Sequence, residues 1–443
     1  MRKIGRIACI LLAFSLLLPA APAPAAAAKL STLEEFAAQV EEHALKLDTK
    51  YTVPCTWSLA DELKQLSSTG LGATMFTEIL LQSGYALSCS VGFTDNKIVL
   101  DQISYYPGWR IAQLKAAGKT ASLSEREKQV LSEAEDLVSG ASGTDLEKER
   151  YFFDRLCERI TYTSQEDESG EKDTAVGALL NGRADCDGYS DAMLLCCSLA
   201  GIPCRFLHSR ALRSMQPGSE AGSHLCNLIF VKDAWLFCDV TWGDQESGPS
   251  YLFFNLGRRD ASLAYHWNAA TLFTEIAAEA DFAAQLMLDQ QPAVIHSLED
   301  VYLAGREAAL AKANRVLFYS PEEAFWQTDH DGFWQELHRC SFGSCSYNSC
   351  GRFLEITGLS YSDRNFSFCD TGEDILSAIE SWTDQGIRSF RLYLKPSLAE
   401  RLFADEHAAL QELLRQSSVP LTGRYYYSTS IESLSFDSQS FGE

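Results

Sequence analysis

Residues 184–200 read ADCDGYSDAMLLCCSLA and decide the fold, because they place a cysteine directly before a long apolar run. Gly201 follows as a stop signal, so the stretch predicts a buried helix that begins at Cys186. At a helix N-terminus the free amide groups and the positive end of the dipole favour a thiolate over a thiol. Asp185 and Asp187 oppose this effect, so a reactive Cys186 still needs a basic partner.

A predicted β-hairpin supplies such a partner. Two apolar, β-prone runs, residues 224–231 and 234–241, flank a two-residue Lys-Asp turn. If the residues on either side of the turn pair, Asp239 lies opposite Cys226 and diagonal to His224, at about 7–8 Å between backbones. This register lets Asp239 orient the imidazole of His224.

The three residue types form a chemical unit. A thiol nucleophile needs a base to take its proton, and the base needs a third group to fix its tautomer. We therefore predict Cys186, His224 and Asp239 as catalytic residues, with the Cys186 backbone amide as the candidate oxyanion donor. The predicted reaction is acyl transfer from an amide, without cofactor or metal. Water as acceptor gives a peptidase or amidase, and an amine gives a cross-linking enzyme.

Three further segments surround these residues: a helix over 148–161 that ends in Ile-Thr-Tyr, the sequence GALLNG at 177–182, and a closing strand over 251–256. With the three catalytic candidates, they resemble the transglutaminase-like family of papain-type cysteine enzymes, in a secreted bacterial form. The resemblance covers about residues 145–270. It implies an α+β fold in which the helix carrying the cysteine packs on an antiparallel sheet, and it assigns the family's Cys, His and Asp to Cys186, His224 and Asp239.

Two other interpretations stay open. The three residues can be structural, since a cysteine on an apolar helix is usually a small buried hydrophobe. The site can also be degenerate, in which case the chain is a catalytically inactive surface-binding or scaffold protein.

The first 28 residues have the pattern of a secretory signal peptide. Residues 1–6 are basic, 7–19 are apolar and 25–28 are small. No later run approaches the ~20 apolar residues that cross a bilayer, so we expect a secreted or cell-surface protein with no transmembrane segment after cleavage.

The charge favours some partners over others. The formal net charge is −23 for the whole chain, and it becomes −26 when the three basic residues of the signal peptide leave. An acidic surface repels nucleic acid, so we predict a protein or peptide substrate, with cell-wall peptide as one candidate. The charge can equally serve solubility alone.

The chain has fourteen cysteines, of which Cys9 leaves with the signal peptide. In an exported protein they would ordinarily form disulfides, and an odd number leaves one thiol free, although an anaerobic host could leave most of them reduced. His338, Cys340, Cys345 and Cys350 lie in a predicted loop with C-x4-C-x4-C spacing. Disulfides or free thiols fit this spacing better than a zinc site, which stays the alternative.

The segments on either side of the central region resemble one another. Residues 33–106, 297–362 and 372–437 each read as a helix, a strand, a second helix and closing strands, with a Ser-Leu-Ala-acid box in the first and last. We predict three copies of a small α+β module that either position or bind a partner or serve as a purely structural flank. An acidic, alanine-rich helix over 272–288 is predicted to connect the central region to the later copies. The predicted organisation is a signal peptide (1–28), a first module (29–115), a transglutaminase-like domain (116–275), a second module (276–365) and a third module (366–443).

Overall fold

The structure is a computed structural model that describes residues 29–60, 70–94, 96–165, 169–212, 221–246, 248–269, 272, 274–278, 292–322, 325–422, 424–428 and 430–441. The predicted signal peptide and most of the predicted helix over 272–288 lie outside these residues. The chain divides into two compact units. The first comprises residues 1–128, 206–208 and 268–274, and the second comprises the rest.

The first unit contains a three-stranded antiparallel sheet with strand order β1-β3-β2. Its strands are β1 (Tyr51–Pro54), β2 (Ala86–Thr94) and β3 (Lys97–Tyr105). Its helices are α1 (Leu33–Lys46), α2 (Gly70–Gln82) and α3 (Pro107–Ala116). A capping box between Thr32 and Glu35 begins α1, and Leu47 in the left-handed region ends it.

Helix α4 (Glu125–Gly140) begins in the first unit and ends in the second. The central region of the second unit then follows the predicted order. Its helices are α5 (Asp145–Arg159), α6 (Cys186–Ala200), α7 (Val240–Gly243) and α8 (Arg258–Ala264). Its strands are β4 (Thr161–Tyr162), β5 (Arg183–Ala184), β6 (Cys204–Leu212), β7 (Ala221–Val231), β8 (Ala234–Cys238) and β9 (Tyr265–His266). Residues 177–181, within the GALLNG segment, form a π-helical turn between α5 and α6.

Four strands of this region form one sheet with the order β8-β7-β6-β9. The predicted hairpin is present, because β7 and β8 are antiparallel with Val231 opposite Ala234 and Asn227 opposite Cys238. Helix α6 packs on this sheet: the Ser190 hydroxyl donates to the Leu225 carbonyl at 2.9 Å, and the Asn227 side-chain amide donates to the Ser190 carbonyl at 3.1 Å. The α+β fold, with the helix that carries the cysteine on an antiparallel sheet, is confirmed.

The predicted closing strand over 251–256 is wrong in its detail. Residues Tyr251–Phe253 form a 3₁₀ turn, and a single antiparallel bridge joins Leu256 to Phe237. Asn255 has a φ of 57°, in the left-handed region, which is incompatible with a continuous extended strand.

Two four-stranded sheets follow. The first consists of β10 (Ala293–Val294), β11 (Arg315–Tyr319), β12 (Ser346–Cys350) and β13 (Phe353–Thr357), in the order β10-β11-β13-β12. Its helices are α9 (Leu298–Leu310), α10 (Phe325–Thr328) and α11 (His330–His338). The second consists of β14 (Phe366–Cys369), β15 (Phe390–Leu394), β16 (Tyr426–Ser428) and β17 (Ser433–Phe436), in the order β14-β15-β17-β16. Its helices are α12 (Gly372–Asp384), α13 (Pro396–Phe403) and α14 (Ala408–Leu414).

These two sheets have the same connectivity. In each, the first two strands are parallel, and the fourth strand lies between the second and the third. The sheet of the first unit fits the same order when the parallel bridge between Leu30 and Cys55 is read as a first strand. The three-copy repeat and the predicted domain boundaries stay predictions. None of the described helices is both long enough and apolar enough to cross a membrane.

Candidate active site

Cys186 is the first residue of α6, as the sequence predicts. Asp185 caps the helix, and its carboxylate accepts hydrogen bonds from the backbone amides of Asp187, at 3.0 Å, and Gly188, at 3.4 Å. Of the first three helical amides, only that of Cys186 is therefore not bonded to the cap. That amide is the one the sequence identifies as candidate oxyanion donor.

A buried lysine balances the acidic residues beside Cys186. The Lys172 ammonium group lies 2.8 Å from Asp185 and 2.6 Å from Asp173, with its side chain 7% exposed. Burial raises the pKa of Asp185 to about 6, against the hydrogen bond from Lys172. The sequence gives no signal for Lys172, because it lies thirteen positions before Asp185 and no periodic pattern links the two residues.

His224 lies between the thiol and a carboxylate. Its Nε2 atom is 2.7 Å from Asp239 Oδ2, and both side chains are buried. The ring also interacts with the Cys186 thiol, and this interaction raises the pKa of His224 and lowers that of the thiol. With Nε2 engaged by Asp239, the ring nitrogen that remains for the thiol is Nδ1.

The electrostatics of the site act on both His224 and the Cys186 thiol. Burial on its own lowers the pKa of His224, but the charge of Asp239 and the hydrogen bonds to Asp239 and Cys186 raise it to about 10. Burial raises the pKa of the Cys186 thiol, and the neighbouring His224 only partly offsets this increase. An adjacent imidazolium and the helix dipole are the two influences that favour the thiolate against burial.

Aromatic side chains enclose the His224–Asp239 pair. The rings of Trp242 and Tyr265 lie 5.7 Å and 6.0 Å from the His224 ring, centroid to centroid. The Trp242 backbone amide donates to Asp239 Oδ1 at 3.1 Å, and the Tyr265 hydroxyl donates to Asp239 Oδ2 at 2.7 Å. The sequence contains Trp242 next to the Asp239 motif, but it gives no signal for Tyr265.

Asp187 also contacts the nucleophile, since its Oδ1 atom accepts a hydrogen bond from the Cys186 thiol at 3.4 Å. Potential ligand atoms of Asp185, Cys186 and Asp187 lie within 4.8 Å of one another. Among the described residues, this is the one group of three side chains close enough to hold a metal ion. The thiol and Asp187 already hydrogen bond to each other, which accounts for their proximity.

The predicted cysteine loop after α11 has a different structure. Residues 346–350 form β12, because the left-handed backbone of Gly351 closes a two-residue hairpin turn to β13. The Cys340 thiol donates to the Tyr302 carbonyl at 3.2 Å, and all thirteen described cysteines are free thiols. Within the described part of the chain, His338 and the three cysteines of this segment do not come together as a group of metal ligands.

The sequence of this region matches a known family. The family model of the transglutaminase-like superfamily matches residues 133–240. No protein of curated function matches the chain.

Two solved structures are similar to parts of the chain. A protein from Cytophaga hutchinsonii described as a cysteine protease is 16% identical, with a TM-score of 0.22, over 26% of this chain and 37% of that one. A transglutaminase is 11% identical, with a TM-score of 0.24, over 39% of this chain and 49% of that one. The chain thus spans less than half the length of either protein.

The matched segment includes the cysteine at the helix N-terminus and the hairpin that packs against it. The chain therefore contains a transglutaminase-like domain over residues 133–240.

Proposed function

We propose that the chain is an exported cysteine enzyme that cleaves or transfers amide bonds through Cys186, His224 and Asp239. The observation that carries this proposal is the position of His224, whose Nε2 atom lies 2.7 Å from Asp239 Oδ2 and whose ring interacts with the Cys186 thiol. A base placed between a thiol and a buried carboxylate is the arrangement that thiol acyl transfer needs.

The reaction follows from these contacts. His224 takes the thiol proton, and the Cys186 sulfur attacks the carbonyl carbon of an amide. The backbone amide of Cys186 is the donor for the oxygen of the tetrahedral intermediate. His224 then gives its proton to the leaving amine, and the C–N bond breaks to leave a thioester.

The second half of the reaction decides the product. When water attacks the thioester, His224 accepts a proton from it, the C–S bond breaks to release the Cys186 sulfur, and the product is a carboxylic acid. When a primary amine attacks, the product is a new amide and the enzyme is a cross-linker. The acidic surface, with a net charge of −23, favours basic or neutral protein and peptide substrates, including cell-wall peptides.

The first test uses reactivity toward a small neutral alkylating agent. Of the thirteen described cysteines, Cys89, Cys186 and Cys345 are partly exposed and the others are buried. Mass mapping after brief treatment with iodoacetamide at neutral pH should find Cys186 modified much faster than the other two. Equal modification of the three would contradict an activated thiol.

The second test uses substrates. Mature protein is incubated with cell-wall peptides and with a casein substrate, with and without a fluorescent primary amine, and the products are read by mass. Cys186→Ala should abolish turnover and keep the fold, because the side chain contributes little packing at a helix start. Cys345→Ala is the matched control. Turnover that persists in Cys186→Ala would exclude this mechanism, and wild-type protein that acts on no amide would favour the surface-binding alternative.

A further inference from the structure

Tyr265 makes a direct hydrogen bond to the carboxylate that orients the base. The residue is fully buried in β9, and its hydroxyl donates to Asp239 Oδ2 at 2.7 Å. The same oxygen accepts the hydrogen bond from His224 Nε2, also at 2.7 Å. Tyr265 and His224 therefore share one oxygen atom of Asp239.

Asp239 would otherwise have a single fixed contact besides His224. Its side chain is 0% exposed, and its other oxygen accepts from the Trp242 amide at 3.1 Å. With Tyr265 present, rotation of the carboxylate about its side-chain bond would lose a further charge-assisted hydrogen bond, on the oxygen that faces His224.

We propose that Tyr265 is a positioning residue of this site, which holds the Asp239 carboxylate in the orientation that keeps His224 directed at Cys186. This inference rests on the proposed function and extends it to a residue that touches neither the thiol nor the imidazole by a hydrogen bond.

The surroundings of the Tyr265 ring fix its hydroxyl. The ring packs against Phe237 at 4.4 Å and Trp242 at 5.2 Å, centroid to centroid. Its backbone is paired with Ala211 of β6. A ring enclosed in this way can act as a rigid donor.

The second predicted module reaches the helix that precedes Tyr265. Asp260 of α8 forms a buried, bidentate ion pair with Arg352. The Nε and Nη2 atoms of the arginine each lie 2.9 Å from a carboxylate oxygen. Arg352 follows Gly351, where a Cβ would lie 2.8 Å from the Asp260 side chain, so the turn can approach this closely only with glycine. The turn between β12 and β13 thus fixes the first turn of α8, the helix that ends directly before Tyr265.

Among the described residues, four buried thiols also interact electrostatically with Asp239, those of Cys157, Cys226, Cys238 and Cys350. Burial raises the pKa of each of these thiols, so they stay neutral around pH 7.

The test compares two tyrosines that each donate to a carboxylate. Tyr265→Phe removes the bond to Asp239, and Tyr251→Phe removes a bond of 2.6 Å to Asp154, away from the site. The rate of Cys186 alkylation by iodoacetamide is measured from pH 5 to 10, with the modified residue identified by mass. We expect Tyr265→Phe to slow alkylation at pH 7 by about tenfold and to shift its pH profile. Tyr251→Phe should follow the wild-type profile.

A folded Tyr265→Phe protein with an unchanged profile, alongside selective Cys186 alkylation in the wild type, would overturn the positioning role alone. Absence of selective alkylation in the wild type would overturn the proposed function and this inference together. If Tyr265→Phe does not fold, 3-fluorotyrosine at position 265 keeps the shape and strengthens the donor. It should then shift the pH profile, whereas the same replacement at position 251 should not.

Discussion

Asp239 is a buried carboxylate in which each oxygen has a different partner. Oδ1 accepts from the backbone at the start of α7, and Oδ2 accepts from His224 and Tyr265. A buried charge is tolerated only when hydrogen bonds replace its lost hydration. The three donors therefore replace the hydration that Asp239 loses in the core, where it raises the pKa of His224.

Asp239→Asn should keep the fold and lose most of the activity. The amide has no charge to stabilise an imidazolium, and it can favour the wrong tautomer of His224. By analogy with serine triads, we expect a loss of kcat up to about 10⁴-fold. The pKa of His224 should also fall, and a pH–rate profile would record the change. Asp154→Asn is the control, because Asp154 pairs with Tyr251 and Arg150 instead.

Glu149 gives a second prediction at the residue scale. It is fully buried in α5, and burial raises its pKa to about 8, against a hydrogen bond of 2.9 Å from Asn255. The folded state therefore holds a proton that the unfolded state releases near pH 4.5. Stability from this group is fully present below that pH and is lost as the pH rises toward 8.

Glu149→Gln should remove the loss of stability that occurs as the pH rises toward 8. The free energy of unfolding of the variant, from urea titrations, should vary less between pH 5 and 8, and at pH 8 it should exceed the wild-type value by an amount on the order of a few kcal/mol. Glu158→Gln, on the exposed side of the same helix, should leave the wild-type pH dependence unchanged. A parallel pH dependence in wild type and Glu149→Gln would contradict the assignment.

At the scale of elements, local signals explain what the sequence could predict. Helix α6 has an apolar run and a glycine end, and the β7–β8 hairpin has two β-prone runs around a short turn. Both features depend on neighbouring residues, and so does the proximity of His224 to Asp239.

Other features depend on long-range contacts and could not be predicted. Strand β9 has two residues, which is too short for any alternation, and Tyr265 meets Asp239 across 26 positions. Strand β12 could not be predicted because it consists of polar residues and cysteine, which are atypical of strands, although Gly351 marks its hairpin turn. Lys172 is buried only because Asp185 and Asp173 surround it.

The turn between β12 and β13 makes a quantitative prediction at this scale. Arg352→Met leaves the buried Asp260 carboxylate without its partner, and the side chains of this pair are 7% and 2% exposed. We expect a loss of about 3–5 kcal/mol in the free energy of unfolding, measured by urea titration.

Arg415→Met is the matched control, because Arg415 pairs with Glu412 at the surface, where both side chains are more than half exposed. The free energy of unfolding should fall by about 0–1 kcal/mol in Arg415→Met. Equal losses in the two variants would mean that the buried pair contributes no more than a surface one.

At the scale of the whole molecule, the two C-terminal sheets differ in how complete their cores are. The core of the last sheet is built entirely from residues 369–441. The core of the preceding sheet includes Phe366 and Tyr393, which belong to the last sheet. The two sheets thus share a strand order, but only the last sheet has a core made entirely of its own residues.

We therefore predict that residues 366–443 fold alone, with a cooperative urea transition followed by circular dichroism. Residues 276–365 alone should be less stable or unfolded, because two buried aromatic side chains of their core are missing. A fragment spanning 276–443 should restore the transition of this region. Independent folding of 276–365 with full stability would show that Phe366 and Tyr393 are dispensable to it.

The ladder between β6 and β9 contains two residue pairs, Ala211 with Tyr265 and Arg210 with His266. Tyr265 points into the core and His266 is exposed, as adjacent strand residues must alternate. A slip of one residue would exchange them and bring an imidazole, which titrates near neutral pH, to the place of a phenol, which does not. Insertions or deletions in α8, which leads directly into β9, should therefore alter the pH range of the proposed activity before they alter the fold.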